Sequence, residues 1–287
     1  MTNAPLIANV SDTARWVAFY RAIESERPDA VFKDPYARRL AGPRGEAIVK
    51  AMPQGLAMAW PMIVRTALLD ELIMRLLKHD EVDCVLNLAA GLDARPWRLP
   101  LPTALRWFDV DHAAMIDAKL DMLATDSPRC AYEGVRLDLS DTPARHQLFS
   151  RVNAQARRVL VITEGLLVYL PPAAVAELAR DLHGQPGFQF WLTDLASPGL
   201  LKMLAKSWGP IVAAGNAPFQ FGPAESTDFF MPLGWRELEW RPLFEEGLRL
   251  NRTMRFAKFF KLLGMLAPKK KREEFKRFSG VALLERI

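Results

Sequence analysis

The amino-acid sequence predicts an α/β protein built on a mostly parallel sheet. Short apolar runs, suited to strands buried on both faces, recur between about residues 81 and 196. Amphipathic helical patterns lie between most of these runs, and such alternation favours a parallel sheet with right-handed crossovers. At 287 residues the chain has the length of one large domain, and we expect a single domain, 1–287.

Residues 1–80 are expected to form a helical N-terminal cap. The stretch SDTARWVAFYRAIESERP begins at a capping residue, Ser11 or Asp12, and spaces its apolar side chains three and four residues apart. DPYARRL, residues 34–40, predicts a turn that enters a second helix. Residues 60–79 carry the strongest amphipathic pattern in the chain.

Residues 81–196 are expected to form the ligand-binding core. We predict five strands there, within the stretches DCVLNLA, LRWFDV, GVRLDL, RRVLVITEG and GFQFWLTDL. HAAMIDAKLDML and PPAAVAELARDLH have clear helical patterns, whereas the stretch after Arg98 is less regular.

The alternation of strands and helices ends after Ala196. Residues 197–233 hold several glycines and prolines and one helix-like stretch, which predicts an inserted lid. Residues 234–287 are expected to close the sheet with two late strands, GWRELEWRPL and FSGVALLERI, and a helix.

The amino-acid composition limits the classes of protein to which this chain can belong. Half of the residues are hydrophobic and a quarter are charged, which is typical of a globular protein rather than a disordered one. The net charge of +5 is modest for this length. It suits anionic small molecules and does not indicate a nucleic-acid partner.

Cysteine and histidine usage favours a reducing, cytoplasmic setting without a metal. Cys84 and Cys130 form neither a disulfide framework nor a CxxC pair, and the four histidines lack the spacing of metal ligands. The N-terminal residues lack the pattern of a signal peptide, and no apolar stretch approaches the roughly 20 residues of a membrane span.

The ends of the predicted strands indicate a ligand site, because ligands of open parallel sheets bind outside the carboxyl ends of the strands. The first strand ends in Ala89, Ala90 and Gly91, which are small enough to let a ligand approach the backbone. The later strands end in acidic residues, namely Asp109, Asp111, Asp138, Glu164 and Asp194.

Carboxylates at these points suit a nucleoside. An acidic residue about 20 positions after a small-residue turn suits ribose hydroxyls, Asp138 suits an exocyclic adenine amine, and Glu164 suits an ammonium group. The alternative is that the turn serves packing and that the acidic residues are solvated helix caps. NAD is disfavoured because the GxGxxG pattern that receives a pyrophosphate is missing.

The motifs together resemble the leucine carboxyl methyltransferase superfamily, whose bacterial members include polyketide O-methyltransferases. LNLAAGLDARPWRL is similar to the nucleoside loop of that family. Seven further matches stand in the family's order over about residues 13–250: TARWVAFYRAIES, DPYA, RTALLDELI, FDVDHAAMIDAK, LDLSD, TEGLLVYLP and GWRELEWRPLFEEGLRL. The resemblance implies S-adenosylmethionine as methyl donor on a class I methyltransferase (Rossmann-like) fold.

The resemblance also implies which residues hold the nucleoside part of the donor. The loop from Ala89 through Ala90 to Gly91 would pass beneath the donor. Asp111, with Asp109 as its neighbour, would hold the ribose hydroxyls. Asp138 and the backbone of Leu139 would meet the adenine.

At the methionine end, the resemblance implies that Arg65 pairs with the donor carboxylate, as a guanidinium does well, and that Glu164 pairs with the amine. Tyr169 would line the methyl-transfer chamber as the catalytic candidate. Two residues depart from the family pattern, because Ala89 replaces its first glycine and Ala94 its threonine. Ala89 adds a methyl group to a crowded turn and could weaken donor binding.

The methyl acceptor is expected to be a small, hydrophobic molecule with a carboxylate or a hydroxyl group. A carboxylate needs no general base at neutral pH, whereas a phenol does. No histidine lies in a recognised match, although His112 follows the ribose candidate, so a carboxylate is favoured. Arg252, Phe219 and Phe230 are the substrate-binding candidates, with Arg255 as a further arginine, and lid packing is the alternative for the phenylalanines.

Two other functions stay open: a protein carboxyl methyltransferase, and a donor-binding protein without catalysis. Arg95 and Arg98 could be donor contacts or members of salt bridges. The segment 254–277, MRFAKFFKLLGMLAPKKKREEFKR, is expected to pack an amphipathic helix on the sheet and to leave its charged run solvated. Contact with a membrane surface or with nucleic acid is the alternative for this segment.

Overall fold

The computed structural model describes residues 10–79, 81–213, 218–254, 256, 257, 259, 262 and 267–287. At its centre lies a sheet of seven strands: β1 (Cys84–Leu88), β2 (Arg106–Asp111), β3 (Ala131–Arg136), β4 (Val159–Thr163), β5 (Phe188–Ala196), β6 (Trp235–Pro242) and β7 (Ser279–Arg286). Their order is β3-β2-β1-β4-β5-β7-β6. Strands β1 to β5 are parallel, and β7 runs antiparallel between β5 and β6. The predicted α/β class and mostly parallel sheet are confirmed.

The helices surround this sheet. In chain order they are α1 (Val10–Ser25), α2 (Ala37–Ala51), α3 (Ala59–Lys78), α4 (Arg95–Arg98), α5 (Ala113–Met122), α6 (Thr142–Gln155), α7 (Pro172–His183), α8 (Pro198–Ala213), α9 (Leu243–Arg249) and α10 (Lys269–Lys276). Two 3-10 helices, Leu167–Tyr169 and Ser226–Leu233, follow β4 and precede β6.

The strands in the middle of the sheet are apolar on both faces because helices cover both faces. Every residue of β1 and of β4 is buried. Alternate residues serve opposite layers: Leu86 of β1 packs in the cluster with α6 and α7, whereas Val85 packs in the cluster with α3. This arrangement explains why the parallel strands are continuous apolar runs in the sequence.

Helices α1 and α2 contribute to a third apolar cluster, which also includes Trp97 of α4 and Met115 of α5. The region that joins α1 and α2 is fixed by a buried ion pair, in which Arg21 Nε donates to Asp34 Oδ2 at 2.9 Å. Arg21 also donates through Nη2 to the carbonyl of Leu92, at 2.6 Å. These contacts hold α1 above the loop that follows β1.

Over the described part of the chain, no helix combines the length and the apolar character that a membrane crossing requires. The same residues hold no group of three or more His, Cys, Asp or Glu side chains arranged to bind a metal ion.

Candidate active site

A cavity of about 1180 Å³ lies at the carboxyl ends of the parallel strands. Residues that follow or end strands β1 to β5 line it together, namely Ala89, Ala90, Gly91, Asp111, Asp138, Leu139, Glu164, Gly165 and Asp194. Residues of α1, α3 and the 3-10 helix Leu167–Tyr169 line other walls of the cavity. The fold therefore gathers side chains that are far apart in sequence, such as Thr13 and Asp194, which are 181 residues apart.

The loop after β1 turns sharply on two residues with left-handed backbone angles, Ala89 at φ 53° and Gly91 at φ 51°. The Gly91 amide donates to Asp111 Oδ2 at 2.8 Å, so the end of β2 holds the loop. A Cβ on Gly91 would lie 3.2 Å from Cβ of Ala14, because α1 crosses closely above. For Ala89, the left-handed conformation costs roughly 1–2 kcal/mol, a cost that glycine would avoid.

Asp138 and Leu139 follow β3 and line the cavity. Asp138 Oδ1 accepts from the amide and the hydroxyl of Ser140, at 2.8 and 2.7 Å, and these hydrogen bonds lower the pKa of Asp138. The Leu139 carbonyl accepts from Nη1 of Arg145 at 2.7 Å. The turn is therefore held with an ionised carboxylate at the cavity wall.

Glu164, which follows β4, lies between two buried arginines. Arg65 Nε donates to Glu164 Oε1 at 3.0 Å, and Arg95 Nη1 donates to Oε2 at 2.8 Å. Burial raises the pKa of Glu164, but Arg95 and Arg65 outweigh burial and lower that pKa to about 2. Glu164 is therefore an anion at any physiological pH.

Arg65 contacts a second carboxylate, since its Nη1 donates to Asp194 Oδ2 at 3.1 Å. The other oxygen of Asp194 accepts from the Gly165 amide at 2.6 Å. Gly165 has a φ of 65°, and a Cβ there would lie 3.3 Å from Arg65 Nη1. Gly165 thus provides both the turn and the space for the guanidinium.

Tyr169 lines the cavity from the 3-10 helix and stacks on Phe219, with ring centroids 5.7 Å apart. The chain beside Phe219 is tied to the same helix, because the Gln220 amide donates to the Val168 carbonyl at 2.7 Å. Burial raises the pKa of Tyr169 to about 12. Its hydroxyl therefore stays protonated and can donate a hydrogen bond into the cavity.

Comparison with known proteins decides the family. The model of the leucine carboxyl methyltransferase family matches residues 14–183, more than half of the chain. A protein of Streptomyces avermitilis is 33% identical over 239 residues, which are 78% of this chain and 80% of that protein. A protein of Streptomyces coelicolor is 33% identical over 258 residues, 84% of this chain and 88% of that one. Both carry the name "Putative S-adenosyl-L-methionine-dependent methyltransferase".

The chain belongs to the leucine carboxyl methyltransferase family. Membership confirms the resemblance and the expected cofactor, so the protein is a methyltransferase that depends on S-adenosylmethionine.

Solved structures share the fold of this leucine carboxyl methyltransferase family member. A DUF574 family protein from Streptomyces avermitilis has a TM-score of 0.59 and 13% identity, over 96% of this chain and 97% of that chain. A protein from Thermobifida fusca that is described as a "putative methyltransferase" has a TM-score of 0.55 and 14% identity, over 98% of this chain and 96% of that chain. At such low identity these likenesses concern the fold alone, which is that of class I methyltransferases.

The residues of this family member fit S-adenosylmethionine. Arg65 and Glu164 place a cation and an anion side by side, which complements the zwitterionic amino-acid group of the donor. Asp111 and Asp138 place carboxylates at the opposite side of the β1 loop, and these would suit the hydrogen-bond donors of ribose and adenine. The loop itself presents only small side chains, at Ala89, Ala90 and Gly91.

One residue predicted to contact the donor does not line the cavity. Asp109 is fully buried within the sheet layer, where it accepts from Lys119 Nζ at 2.7 Å, Trp107 Nε1 at 2.8 Å and Asn87 Nδ2 at 3.0 Å. Asp109 and Asp111 are two residues apart in β2, but only Asp111 lies at the end of the strand. Asp109 therefore ties α5 to β2 and is a structural residue.

Two substrate candidates also lie elsewhere. Arg252 is buried and donates through Nε to Glu24 Oε2 at 2.9 Å, and through Nη2 to the carbonyl of Asp29 at 2.6 Å. Phe230 is fully buried among aromatic rings, with its centroid 5.1 Å from that of Trp191. Phe219 does line the cavity, and Arg255 lies outside the described residues.

The sequence analysis counted Asp194 among the acidic strand ends without assigning it a contact, gave no role to Gly165, and left Arg95 open. Arg95 is a member of salt bridges, to Asp70 at 2.6 Å, Asp93 at 2.7 Å and Glu164 at 2.8 Å, and it also lines the cavity. The acidic end of the fifth predicted strand was the available signal for Asp194. Nothing local in the sequence links Arg95 to its distant partners Asp70 and Glu164.

Proposed function

We propose that this methyltransferase transfers the methyl group of S-adenosylmethionine to an oxygen atom of a small, largely apolar molecule. The supporting observation is that one cavity joins the charged groups around Arg65 to walls formed by apolar side chains. These walls include Leu166, Val168, Leu200, Met203, Leu204, Phe219 and Met254. An apolar chamber with a few polar groups is typical of sites for small hydrophobic ligands.

The donor supplies, when bound, a methyl group activated by its sulfonium, and the protein has to align and desolvate the reacting groups. Arg65 and Glu164 would fix the amino-acid end, and Asp111 and Asp138 the nucleoside end. Helix α1 and the 3-10 helix of Tyr169 would exclude water from the space between them. Alignment of this kind contributes roughly 7–11 kcal/mol to lowering the barrier in favourable cases.

The charges of the cavity support a hydroxyl acceptor over the carboxylate that the sequence favours. Each arginine among the described lining residues already pairs with carboxylates, as the contacts of Arg21, Arg65, Arg95 and Arg145 demonstrate. Arg65 would be taken by the donor carboxylate, and Arg21, Arg95 and Arg145 hold protein carboxylates, so this set offers no further guanidinium to an acceptor carboxylate. A hydroxyl acceptor is neutral before the reaction and needs no such cation to hold it.

Tyr169 would orient the acceptor rather than deprotonate it. With a pKa of about 12, its hydroxyl is a hydrogen-bond donor at neutral pH and not a base. A hydrogen bond from Tyr169 to the acceptor oxygen would fix the direction from which that oxygen approaches the methyl group.

The experiment measures donor binding by isothermal titration and then methyl transfer from labelled donor to matched acceptors. An alkylphenol and the corresponding alkylbenzoate differ only in the acceptor group, and mild base releases methanol from the ester product alone. We expect donor binding and base-stable ether. If the ester is the sole product, the preference for a hydroxyl acceptor is wrong. If the protein binds the donor but transfers its methyl group to no oxygen acceptor, O-methylation is wrong and a non-catalytic donor-binding protein is favoured.

A further inference from the structure

The positive charge of this protein is concentrated in one segment. Residues 254–277, which we call the basic segment, hold nine Lys and Arg and two Glu, a net charge of +7. The whole chain has a net charge of only +5, so the remaining residues together are slightly acidic. Charge segregated in this way favours a partner with a negative surface.

The large apolar side chains described in the basic segment are largely exposed, and the other residues of its expected amphipathic helix lie outside the described residues. The described large apolar residues Met254, Phe256, Phe259, Leu262 and Phe275 are between 41% and 64% exposed. Of all the described residues in this segment, only Ala257 is buried. Folded proteins expose single apolar side chains routinely, but a cluster in one segment indicates an interaction site.

The cations of α10 are exposed in the same way. The consecutive residues Lys269, Lys270, Lys271 and Arg272 are all exposed, and within the described residues no salt bridge reaches them. Elsewhere on the surface, arginines commonly have carboxylate partners, as Arg38 has in Glu26 and Arg236 has in Glu285. The four side chains are therefore available to external anions.

The basic segment also reaches the entrance of the cavity. Three residues of the segment line the cavity and are also exposed, namely Met254, Phe275 and Lys276. They mark where the cavity opens to solvent. Met203 of α8 also lines the cavity and is 44% exposed. The exposed apolar surface is thus continuous with the apolar walls inside.

We propose that the described residues of the basic segment bind the surface of an anionic lipid bilayer, with the cavity opening toward the membrane. Phe256, Phe259 and Leu262 would enter the interface, and the cations of α10 would contact the headgroups. Each Lys or Arg near an anionic leaflet favours binding, and apolar side chains between cations are typical of interfacial segments. Nucleic acid fits less well because it offers the phosphates but no apolar phase for these side chains.

This placement gives an apolar acceptor a route into the cavity that avoids water. An acceptor dissolved in the bilayer would enter past Met254 and Phe275. The docking itself rests on charge and exposure, and it holds whether or not the proposed O-methylation is correct.

Co-sedimentation of the full chain with lipid vesicles tests the proposal. We expect binding to vesicles that contain phosphatidylglycerol, little binding to pure phosphatidylcholine, and release by high salt. Replacing Lys269, Lys270, Lys271 and Arg272 with Gln should weaken binding at least tenfold. Replacing Phe256, Phe259 and Leu262 with Ala should weaken it as well, with a smaller dependence on salt.

A matched control removes four exposed cations elsewhere, at Arg38, Lys50, Lys78 and Arg236, and should bind vesicles nearly as the wild type does. Donor binding by titration calorimetry reports the folding of each variant, and it also separates a failure of docking from a failure of the proposed activity. The proposal would be overturned by equal binding to both vesicle types, by no binding at low salt, or by equal losses of binding in the control variant. Tighter binding to an oligonucleotide than to anionic vesicles would also overturn it.

Discussion

Arg65 in α3 and Asp194 in β5 form a buried ion pair, with Nη1 and Oδ2 3.1 Å apart, although 129 residues separate them. The pair is the last link of a chain of alternating charges that runs from the core to the wall of the cavity. In order of contact, the members of this chain are Arg98, Asp70, Arg95, Glu164, Arg65 and Asp194. Each charge is balanced by its neighbours, so the site is ordered before any ligand arrives.

Replacing Arg65 with Lys should weaken donor binding by at least tenfold, about 1.4 kcal/mol. Lysine keeps the positive charge but lacks the planar fork that contacts Glu164 and Asp194 together. Titration calorimetry with S-adenosylmethionine measures the effect. Arg75→Lys is the control, since Arg75 lies on the same helix and pairs with Glu239 outside the cavity. Equal affinities in the two variants would contradict the assignment of Arg65.

Tyr169→Phe should lower kcat with an acceptor oxygen substrate and leave the affinity for the donor unchanged. The substitution removes the hydroxyl and keeps the ring that stacks on Phe219. We expect a loss of about tenfold or more, the order of one hydrogen bond that strengthens in the transition state. Tyr36→Phe, outside the cavity, provides the control. An unchanged kcat would mean that Tyr169 only forms part of the wall.

Ala89→Gly should stabilise the protein by about 0.5–1 kcal/mol, because glycine adopts the left-handed angle of 53° without strain. Ala90 is adjacent and has no such angle, so Ala90→Gly should destabilise the protein by about 0.4–1 kcal/mol through the entropy of the unfolded chain. Urea unfolding of both variants measures the two changes. If both substitutions change the free energy of unfolding in the same direction, the backbone angle of Ala89 carries no energetic cost.

Glu164 should make stability depend on pH in acid. Its pKa of about 2 in the folded protein lies below the ordinary value, so the ionised form stabilises the fold. This contribution is fully present above the unfolded pKa and is lost as the pH falls through the folded one. The difference in free energy of unfolding between wild type and Glu164→Gln should be constant above about pH 5 and shrink toward pH 2.

Denaturant unfolding at stepped pH tests this expectation. Glu274→Gln is the control for the loss of one carboxylate, since Glu274 is exposed on α10. A difference that stays constant down to pH 2 would mean that Glu164 gains no stability from its two arginines.

Arg252→Met should destabilise the protein by about 3–5 kcal/mol without weakening donor binding, because the buried carboxylate of Glu24 loses its nearest cation and keeps only Arg27, at 3.7 Å. Combining it with Glu24→Gln should recover part of this loss. Thermal unfolding and donor titration on the same samples separate the two effects. If a folded Arg252→Met sample no longer binds the donor or the acceptor, Arg252 is a ligand-binding residue after all.

The strands and the cavity loop could be predicted from the sequence because their signals are local. Buried parallel strands are continuous apolar runs, and the small residues at Ala89 to Gly91 mark where the first run ends. The sequence could not tell which of Asp109 and Asp111 lies at the cavity. Both are acidic residues near the end of one strand, and only the packing of Lys119 against Asp109 removes one of them from the cavity.

Long-range partners account for most of the remaining differences. Arg252 looks like a substrate ligand in sequence, but its partner Glu24 lies 228 residues away. The exposure of the basic segment was also unpredictable, because helical spacing of phenylalanines suits a packed helix and an interfacial helix equally. In each case the deciding contact, or its absence, depends on the three-dimensional neighbours.

Strands β6 and β7 are paired so that Pro242 lies opposite Gly280, and the basic segment belongs to the excursion between these two positions. A chain that leaves and re-enters a sheet at facing residues can change in length and composition without shifting the register of either strand. Because Met254, Phe275 and Lys276 of this excursion also line the cavity, changes in it can alter membrane binding and acceptor entry together while β6 and β7 keep their register. Descendants of one such gene could bind different membranes and methylate different acceptors while keeping the same donor loop.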